Sequence, residues 1–250
     1  MKYKIVCKND KVSKKVCDEL KKIISKEETN NPDVIFSIGG DGTFLDAVRM
    51  HLDVLDQVYF ISIHTGTLGF YTEFLPHELK CIINNIKKKT LNQFNLLKID
   101  VDGEVNYALN EVTLTSQQHL LEGDVYINSE HLMFVRANGL CISTPSGSTA
   151  YNKSLNGAIL DFNVNALQLA LIAPFETINS RIISPLVLSK ENEITFKPKN
   201  KYFDITYDRI FISKENINTV KVSYSNKYVK YMVNPEKSYI NRLKEKFIGK

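Results

Sequence analysis

A buried-looking strand that runs into a glycine-rich loop constrains the fold more than any other part of this chain. The run Val34-Ile35-Phe36-Ser37-Ile38 is followed by Gly39-Gly40-Asp41-Gly42-Thr43, and residues 43–50 place apolar side chains at helical spacing. Glycine lets backbone N–H groups approach a phosphate without a Cβ in the way, and a helix N-terminus favours an anion. The lone carboxylate of Asp41 can take a proton from a hydroxyl or hold a metal ion. The segment therefore predicts a phosphate site with one candidate base.

The first 95 residues alternate predicted strands and helices. Strands are predicted at 3–7, 34–38 and 58–63, and helices at 12–25, from Thr43 and from Pro76. This order predicts a parallel sheet with right-handed crossovers, whose ligands bind beyond the carboxyl ends of the strands. A second glycine loop, His64-Thr65-Gly66-Thr67-Leu68-Gly69-Phe70, follows the third strand. The two loops hold five of the 11 glycines, which turn formation alone does not require.

After about residue 96 the predicted elements become short strands separated by turn signals. The predicted strands are 97–101 and 105–109 around Asp102-Gly103, then 125–127, 132–135, 186–188, 193–197, 203–207, 220–224 and 228–233. Residues 237–247 have helical spacing again. We therefore predict an α/β nucleotide-binding domain over 1–95, joined by a C-terminal helix over 236–250 that packs on it. An all-β sandwich is predicted over 96–235.

Two further segments are rich in polar groups. Five hydroxyl residues lie between Ser143 and Thr149, where a strand runs into a turn and a short helix. They can line a ribose, a phosphate or a purine edge, or they can form a structural turn with an N-cap. Asn110-Glu111 lies between two apolar strands, where a charge is costly unless paired, or where a strand edge faces water. Tyr207-Asp208-Arg209 interrupts a strand pattern and is predicted to form a turn, with a functional ion pair of Asp208 and Arg209 as the alternative.

Composition excludes several classes of protein. A net charge of +4 and a pI near 8.7 suit small anionic substrates and do not indicate nucleic-acid binding. No apolar run approaches the roughly 18 residues of a transmembrane helix, so no membrane partner is expected. Cysteines at positions 7, 17, 81 and 141 form no CxxC pair, and no signal peptide is visible, which predicts reduced thiols and a cytoplasmic protein. The glycine loop matches neither a Walker A loop nor the dinucleotide fingerprint.

Together these motifs resemble those of the bacterial NAD kinase family. The resemblance rests on Gly39–Thr43, Asn110-Glu111 and Ser143–Ser154, with support from the second glycine loop and from residues 183–188. It implies an α/β domain plus a β-sandwich domain, assembled as a homotetramer or homodimer. It also implies transfer of a phosphoryl group from ATP, in some members from polyphosphate, to the 2′-hydroxyl of the adenosine ribose of NAD, with Mg²⁺ as the divalent metal.

The resemblance also implies roles for individual residues. Asp41 would be the general base and would contact NAD. The phosphate loop would comprise Gly39, Gly40, Gly42 and Thr43. The residues implied to bind NAD are Asp41, Gly42, Asn110, Glu111, Arg136, Asn138, Thr149, Ala150, Tyr151, Asn152, Lys153, Ser154, Ala173 and Arg209, with Ala173 approaching the ligand from a neighbouring subunit. The metal would be held mainly by the ATP phosphates.

Two positions depart from the family pattern. Asn138 replaces the usual aspartate and keeps its shape without its charge, and Arg209 stands where close relatives often carry histidine. The glycine–aspartate loop also occurs in lipid and diacylglycerol-type kinases, which leaves such an enzyme as an alternative. A dinucleotide-binding regulator with weakened catalysis is a second alternative, because of Asn138.

Overall fold

The computed structural model describes residues 2–24, 29–66, 69–117, 119–176 and 181–249. The chain forms two compact units. The first unit comprises Met1–Phe94 and Lys227–Lys250, and the second unit comprises Asn95–Asn226. Each unit has its own apolar core: the first around Leu20, Phe36 and Ile61, the second around Leu114 and Leu140.

The first unit is built on parallel strands, as predicted. Strands β1 (Tyr3–Cys7), β2 (Val34–Gly39) and β3 (Tyr59–His64) pair in that order, with Phe36 beside Ile61 and Gly39 beside His64. Every residue of β2 is buried, which its continuous apolar run requires in a sheet covered on both faces. The register aligns the carboxyl ends of β2 and β3, so the two glycine loops start side by side.

Helices of the first unit follow the strands. They are α1 (Lys11–Ile23), α2 (Asp41–Met50) and α3 (Leu79–Asn85), with 3₁₀ turns at Leu52–Val54, Pro76–Glu78 and Ile86–Lys88. The carboxylate of Asp10 caps α1 by accepting a hydrogen bond from the Ser13 N–H at 2.8 Å. The predicted end of α1 at Ser25 lies outside the described residues. Helix α2 begins two residues before the predicted Thr43, which makes Asp41 its first residue.

The second unit is an antiparallel β-sandwich, which confirms the predicted fold class. Its strands are β4 (Leu91–Val101), β5 (Glu104–Ala108), β6 (Glu111–Thr115), β7 (Leu121–Ile127), β8 (Glu130–Ser143), β9 (Ala166–Pro174), β10 (Leu186–Ser189), β11 (Glu193–Pro198), β12 (Tyr202–Tyr207), β13 (Ile210–Glu215) and β14 (Val220–Met232). Strands β11, β7, β8, β6, β12 and β13 are consecutive neighbours, β9 also pairs with β8, and β10 pairs with β9. The chain passes between the units within β4 and again within β14.

One strand prediction was wrong, and one long strand was missed. Strand β14 is continuous, whereas separate strands were predicted at 220–224 and 228–233 because Ser225, Asn226 and Lys227 have the composition of a turn. Pairing with neighbouring strands overrides that local signal. Strand β9 was not predicted, because its apolar residues run without alternation. The structure buries six consecutive residues from its first, Ala166.

The cysteines also differ from the expectation of four reduced thiols. Cys7 at the end of β1 and Cys17 on α1 form a disulfide, while Cys81 and Cys141 are free. The turn after β1 reverses the chain, and α1 then carries Cys17 back along the strand on its buried face. Their ten-residue separation in the sequence did not reveal this proximity.

The C-terminal segment packs within the first unit, as predicted. Helix α5 (Tyr239–Leu243) is capped by Ser238 and continues into a π-helical turn over Lys244–Ile248. The rings of Phe247 and Phe70 are 5.4 Å apart, which joins this segment to the end of the second glycine loop. The helical structure starts two residues later than the predicted Lys237, after the Ser238 cap.

Candidate active site

Asp41 is held in one orientation at the N-terminus of α2. Its Oδ2 accepts a hydrogen bond from the N–H of Phe70 at 2.8 Å, and its Oδ1 accepts one from the N–H of Tyr71 at 3.0 Å. A Cβ built on Gly69 would overlap the Asp41 carboxylate, so the carboxylate requires glycine at that position. Each carboxylate oxygen accepts more than one hydrogen bond. Asp41 therefore keeps acceptor capacity for a ligand.

The segment 69–73 that holds Asp41 is itself fixed by side chains of the first unit. The hydroxyl of Ser62 donates to the carbonyl of Tyr71 at 2.7 Å, and the Thr72 hydroxyl accepts from the Gly69 N–H at 3.2 Å. The ring of Tyr71 stacks on Phe44 of α2, with centroids 5.3 Å apart. These contacts fix α2 and the second glycine loop to each other, which fixes the direction of the carboxylate.

The glycines of the first loop have different functions. A Cβ on Gly39 would overlap the Thr43 side chain, so packing requires glycine there. A Cβ on Gly40 would meet nothing within 4 Å, so packing does not require glycine at the N-cap of α2. The space beside Gly40 lies at the N-terminal end of α2, where the helix dipole is positive. An anion is favoured at this place.

His64 stands at the start of the second glycine loop, with its ring half-buried. Burial lowers the pKa of His64, and the nearby positive charge of Lys237 lowers it further. Burial likewise lowers the pKa of Lys237. The structure thus shows that His64, at the start of the loop, has a cationic neighbour in Lys237.

In the second unit, Asp208 holds the backbone at Asn110 and Glu111 by hydrogen bonds. The Asp208 carboxylate, in the turn between β12 and β13, accepts from the N–H of Leu109 at 2.9 Å and of Asn110 at 2.7 Å. The Asp208 N–H donates to the Glu111 carbonyl at 3.0 Å. The predicted turn at 207–209 is confirmed. Its aspartate positions the backbone beside the predicted NAD-binding pair.

Glu111 is a buried carboxyl with unused hydrogen-bonding capacity. It is 9% exposed, and its Oε2 has no hydrogen-bond partner within the described part of the chain. Burial raises the pKa of Glu111 to about 8, the negative charge of Asp208 adds to this increase, and the N–H of Tyr151 opposes it. Burial also raises the pKa of Asp208 to about 6, against the effect of the Leu109 and Asn110 N–H groups that donate to its carboxylate. Burial and the neighbouring carboxylate thus favour the protonated form of Glu111.

Most hydroxyls between Ser143 and Thr149 bond within the protein. Thr144 Oγ1 donates to the Leu109 carbonyl at 2.6 Å and accepts from the Gly147 N–H, while Ser148 Oγ donates to the Pro145 carbonyl. The described contacts leave the buried Ser143 Oγ without a hydrogen-bond partner. Ser143 is the cross-strand neighbour of Glu111 in the β6–β8 pairing. The turn thus supports the backbone next to Asn110, and the hydroxyl of Ser143 lies near Glu111.

The short helix α4 (Tyr151–Ser154) presents its predicted binding residues unequally. Tyr151, Lys153 and Ser154 are exposed, and Thr149 and Ala150 are half-buried. Asn152 is fully buried, and its amide lies where a Cβ on Gly157 would be. Its side chain therefore points into the protein, which leaves its backbone for any ligand contact.

The remaining predicted residues of the second unit lie on β8, β9 and the β12–β13 turn. Arg136 Nε donates to Glu122 Oε1 at 2.8 Å, and its guanidinium lies 5.8 Å from the centre of the Phe175 ring. Asn138 and Arg209 are exposed. Ala173 is exposed at the end of β9 with a φ of 42°, a left-handed conformation that is unusual for alanine. Asn138, Ala173 and Arg209 therefore lie on the surface of the unit.

Sequence reasoning missed Asp208 and the backbone amides of Phe70 and Tyr71. No local pattern marks these groups, since they act on residues 29 to 99 positions away. The described residues hold no group of three or more histidine, cysteine or acidic side chains arranged to bind a metal. Within the same ranges, no helix is both long and apolar enough to span a membrane.

The first unit carries a helix N-terminus with an adjacent carboxylate, and the second unit is a β-sandwich with a buried carboxyl; these features indicate a nucleotide-binding phosphotransferase. Family models agree: residues 2–90 match the ATP-NAD kinase N-terminal domain, and residues 109–233 match the ATP-NAD kinase C-terminal domain. The chain belongs to the NAD kinase family and is a kinase. The lipid-kinase alternative is not favoured.

Curated relatives match over nearly the whole chain. NAD kinase 1 of Bacillus subtilis is 34% identical, covering 100% of this chain and 99% of its own. An NAD kinase of Staphylococcus epidermidis is 38% identical, covering 92% and 91%. Among solved structures, yeast NADH kinase complexed with NADH has a TM-score of 0.78 at 25% identity, covering 89% of this chain and 67% of its own. An Archaeoglobus fulgidus NAD kinase in complex with ATP has a TM-score of 0.79 at 22% identity, covering 94% and 95%, and supports the fold.

Proposed function

We propose that this enzyme transfers the γ-phosphoryl group of ATP to the 2′-hydroxyl of the adenosine ribose of NAD, with Asp41 as the general base. One observation carries the proposal: the Asp41 carboxylate is fixed by two backbone amides at the first residue of α2, beside the open N-cap at Gly40. An oriented base and an anion-binding helix end are the two groups that phosphoryl transfer to an alcohol requires.

The chemistry follows from these positions. A ribose hydroxyl is a poor nucleophile at neutral pH, so the base takes its proton as the oxygen attacks the γ-phosphorus. The new bond joins the ribose oxygen to phosphorus, the bond from phosphorus to the ADP oxygen breaks, and the proton moves to an Asp41 carboxylate oxygen. The N-terminal end of α2, which begins at Asp41, offers a positive dipole to the phosphates. Gly39 contributes by leaving room for the Thr43 side chain.

Glu111 and its neighbours support the assignment of an adenosine as the acceptor. A buried carboxyl that keeps its proton can donate as well as accept, which suits a ribose hydroxyl or a purine nitrogen. Asn110, Thr149, Ala150 and Ser154 would contribute amide, hydroxyl and backbone groups. Tyr151, 42% exposed, offers a ring for stacking on the adenine.

Magnesium fits as a metal carried by the nucleotide. Mg²⁺ in kinases is held by one or two carboxylates together with substrate phosphates and water. Asp41 supplies one carboxylate with spare acceptor capacity, which matches that donor set. When bound, the ion neutralises the charge that develops on the phosphate oxygens. Polyphosphate would present the same oxygens as ATP, and we include it as a possible donor.

Self-association and a cytoplasmic location complete the proposal. Ala173 would approach the ligand of a neighbouring subunit in a homotetramer or homodimer. Its exposed position beside Phe175, which is 53% exposed, supports a contact surface there. NAD and ATP are the proposed small-molecule partners. Asn138 and Arg209 would contact the nicotinamide side or a phosphate of NAD, and there this enzyme would differ from relatives.

The test incubates the purified protein with ATP, magnesium and NAD, and detects NADP with an NADP-specific dehydrogenase. We expect Asp41→Asn to bind NAD and to lower kcat by roughly 10² to 10⁴, the usual size of a general-base effect. Asp46→Asn is the matched control, because Asp46 lies on the same helix and pairs with Arg49 at 3.3 Å. Wild-type turnover by Asp41→Asn would remove Asp41 from the mechanism. A lack of NADP together with phosphorylation of a lipid would overturn the proposal that NAD is the substrate.

A further inference from the structure

A buried arginine from the C-terminal segment contacts the same stretch of backbone that holds Asp41. Arg242 on α5 is 4% exposed. Its Nη1 donates to the carbonyl of Phe70 at 2.8 Å and approaches the carbonyl of Thr72 at 3.5 Å. These contacts span 172 and 170 residues of sequence and lie wholly within the first unit.

The Phe70 carbonyl and the Tyr71 N–H belong to one peptide group. The carbonyl accepts from Arg242, and the N–H donates to Asp41 Oδ1 at 3.0 Å. Because the peptide unit is planar and rigid, fixing its oxygen also fixes the direction of its N–H. A cation at the oxygen polarises the peptide, which makes the N–H a stronger donor. Arg242 and the Asp41 carboxylate are therefore joined through a single peptide plane.

The arginine is held in place by a second buried charge. Glu73 is 2% exposed, and its Oε1 lies 2.5 Å from Arg242 Nη2. Its Oε2 accepts from the N–H of Asn234 at 3.1 Å, and Asn234 Nδ2 reaches the Glu73 carbonyl at 3.3 Å. A buried ion pair costs desolvation energy, and apolar residues of similar volume often serve stability equally well. The directed hydrogen bonds to Phe70 and Thr72 are what an apolar replacement would lose.

We propose that Arg242 is a positioning residue for the phosphoryl-transfer step, acting through the Phe70–Tyr71 peptide on Asp41. The inference rests on the proposed role of Asp41 as the base. Without the guanidinium, the peptide plane turns more freely and its N–H holds the carboxylate less firmly. The base then spends less time in the direction that faces the ribose hydroxyl, so kcat falls while the binding of NAD is retained.

A double-mutant cycle between Arg242→Lys and Asp41→Asn tests this coupling. We expect Arg242→Lys to lower kcat by roughly 10-fold, with KM for NAD and for ATP within about 2-fold of wild type. In the Asp41→Asn background the same change should lower kcat by less than about 2-fold, because the group it positions has lost its function. A merely structural arginine would give the same fold loss in both backgrounds.

Two further variants keep the test decisive. Glu73→Gln with Arg242→Met removes both buried charges and keeps the volumes, so it should fold even if Arg242→Lys does not. It should show the same loss of kcat and the same dependence on Asp41. Ile82→Val, a buried change on α3 in the same unit, is the control for a small loss of stability and should keep kcat.

The outcomes separate this inference from the proposed function. In one outcome, Asp41→Asn causes a large loss of kcat while Arg242→Lys lowers kcat by the same factor with and without Asp41. This result overturns the positioning role and leaves the base assignment intact. Wild-type turnover by Asp41→Asn overturns the base assignment and the positioning role with it. A change confined to KM in both Arg242 variants also contradicts the proposal.

Discussion

The buried carboxyl of Glu111 should make the stability of the ligand-free protein depend on pH. Its folded-state pKa is about 8, against an ordinary value of 4.5, because burial and the charge of Asp208 oppose ionisation. The folded state therefore binds the proton more tightly than the unfolded state does. Between these two pH values the unfolded state has lost the proton while the folded state retains it, so stability falls as the pH rises. Glu111→Gln keeps the shape of the side chain and removes the titration.

The size of the effect follows from the two carboxyls. Over the whole interval from pH 4.5 to about 8, the Glu111 titration changes the free energy of unfolding by at most about 5 kcal/mol, since one pKa unit is worth about 1.4 kcal/mol. The pKa of Asp208 is raised from 3.8 to about 6, so Asp208 titrates around pH 6 in both proteins and its contribution cancels in their difference. The range from pH 6 to 8 therefore isolates Glu111. There the wild type should lose about 2 to 3 kcal/mol relative to Glu111→Gln.

The measurement is urea unfolding of the ligand-free wild type and Glu111→Gln at pH 6, 7 and 8. Equal m-values in the two proteins would permit a direct comparison of their free energies of unfolding. Glu130→Gln, the same chemical change at the exposed first residue of β8, is the control and should follow the wild type. A constant difference between wild type and Glu111→Gln from pH 6 to 8 would show that Glu111 is ionised throughout. The burial argument would then be wrong.

Three other substitutions test the remaining contacts of the site. Gly69→Ala places a methyl group where the Asp41 carboxylate lies, so kcat should fall by about 10-fold or more while NAD still binds. The formation of NADP measures kcat, and a titration with NAD measures binding. Asp208→Asn leaves one of two backbone N–H groups without an acceptor, which should cost about 1 to 3 kcal/mol in urea unfolding and raise KM for NAD. Asn138 is exposed, so Asn138→Asp should change the free energy of unfolding by less than about 0.5 kcal/mol. If Asn138 contacts NAD, this change should alter KM with kcat unchanged; an unchanged KM would place Asn138 outside the site.

Local patterns in the sequence were sufficient for the elements that surround Asp41. The strand before Gly39 and the helix after it both follow from periodicity, and the pairing of β2 with β3 follows from their continuous apolar runs. The groups that orient the carboxylate could not be predicted in the same way. Arg242 lies 172 residues from Phe70 in the sequence, and backbone amides have no residue identity to recognise. Orientation depends on long-range packing, which periodicity does not encode.

The hydroxyl-rich turn shows why composition left two alternatives open. Most hydroxyls there bond to nearby backbone groups, and Thr144 reaches the Leu109 carbonyl at 2.6 Å, so their density reflects the turn they must stabilise. Density alone is therefore weak evidence for a ligand. The stronger signal is the cross-strand pair Glu111 and Ser143, since buried polar atoms without a partner are costly. A bound ribose or purine would supply the missing partners. The free-energy cost of leaving these buried atoms unpaired would then favour such a ligand over one that cannot form the hydrogen bonds.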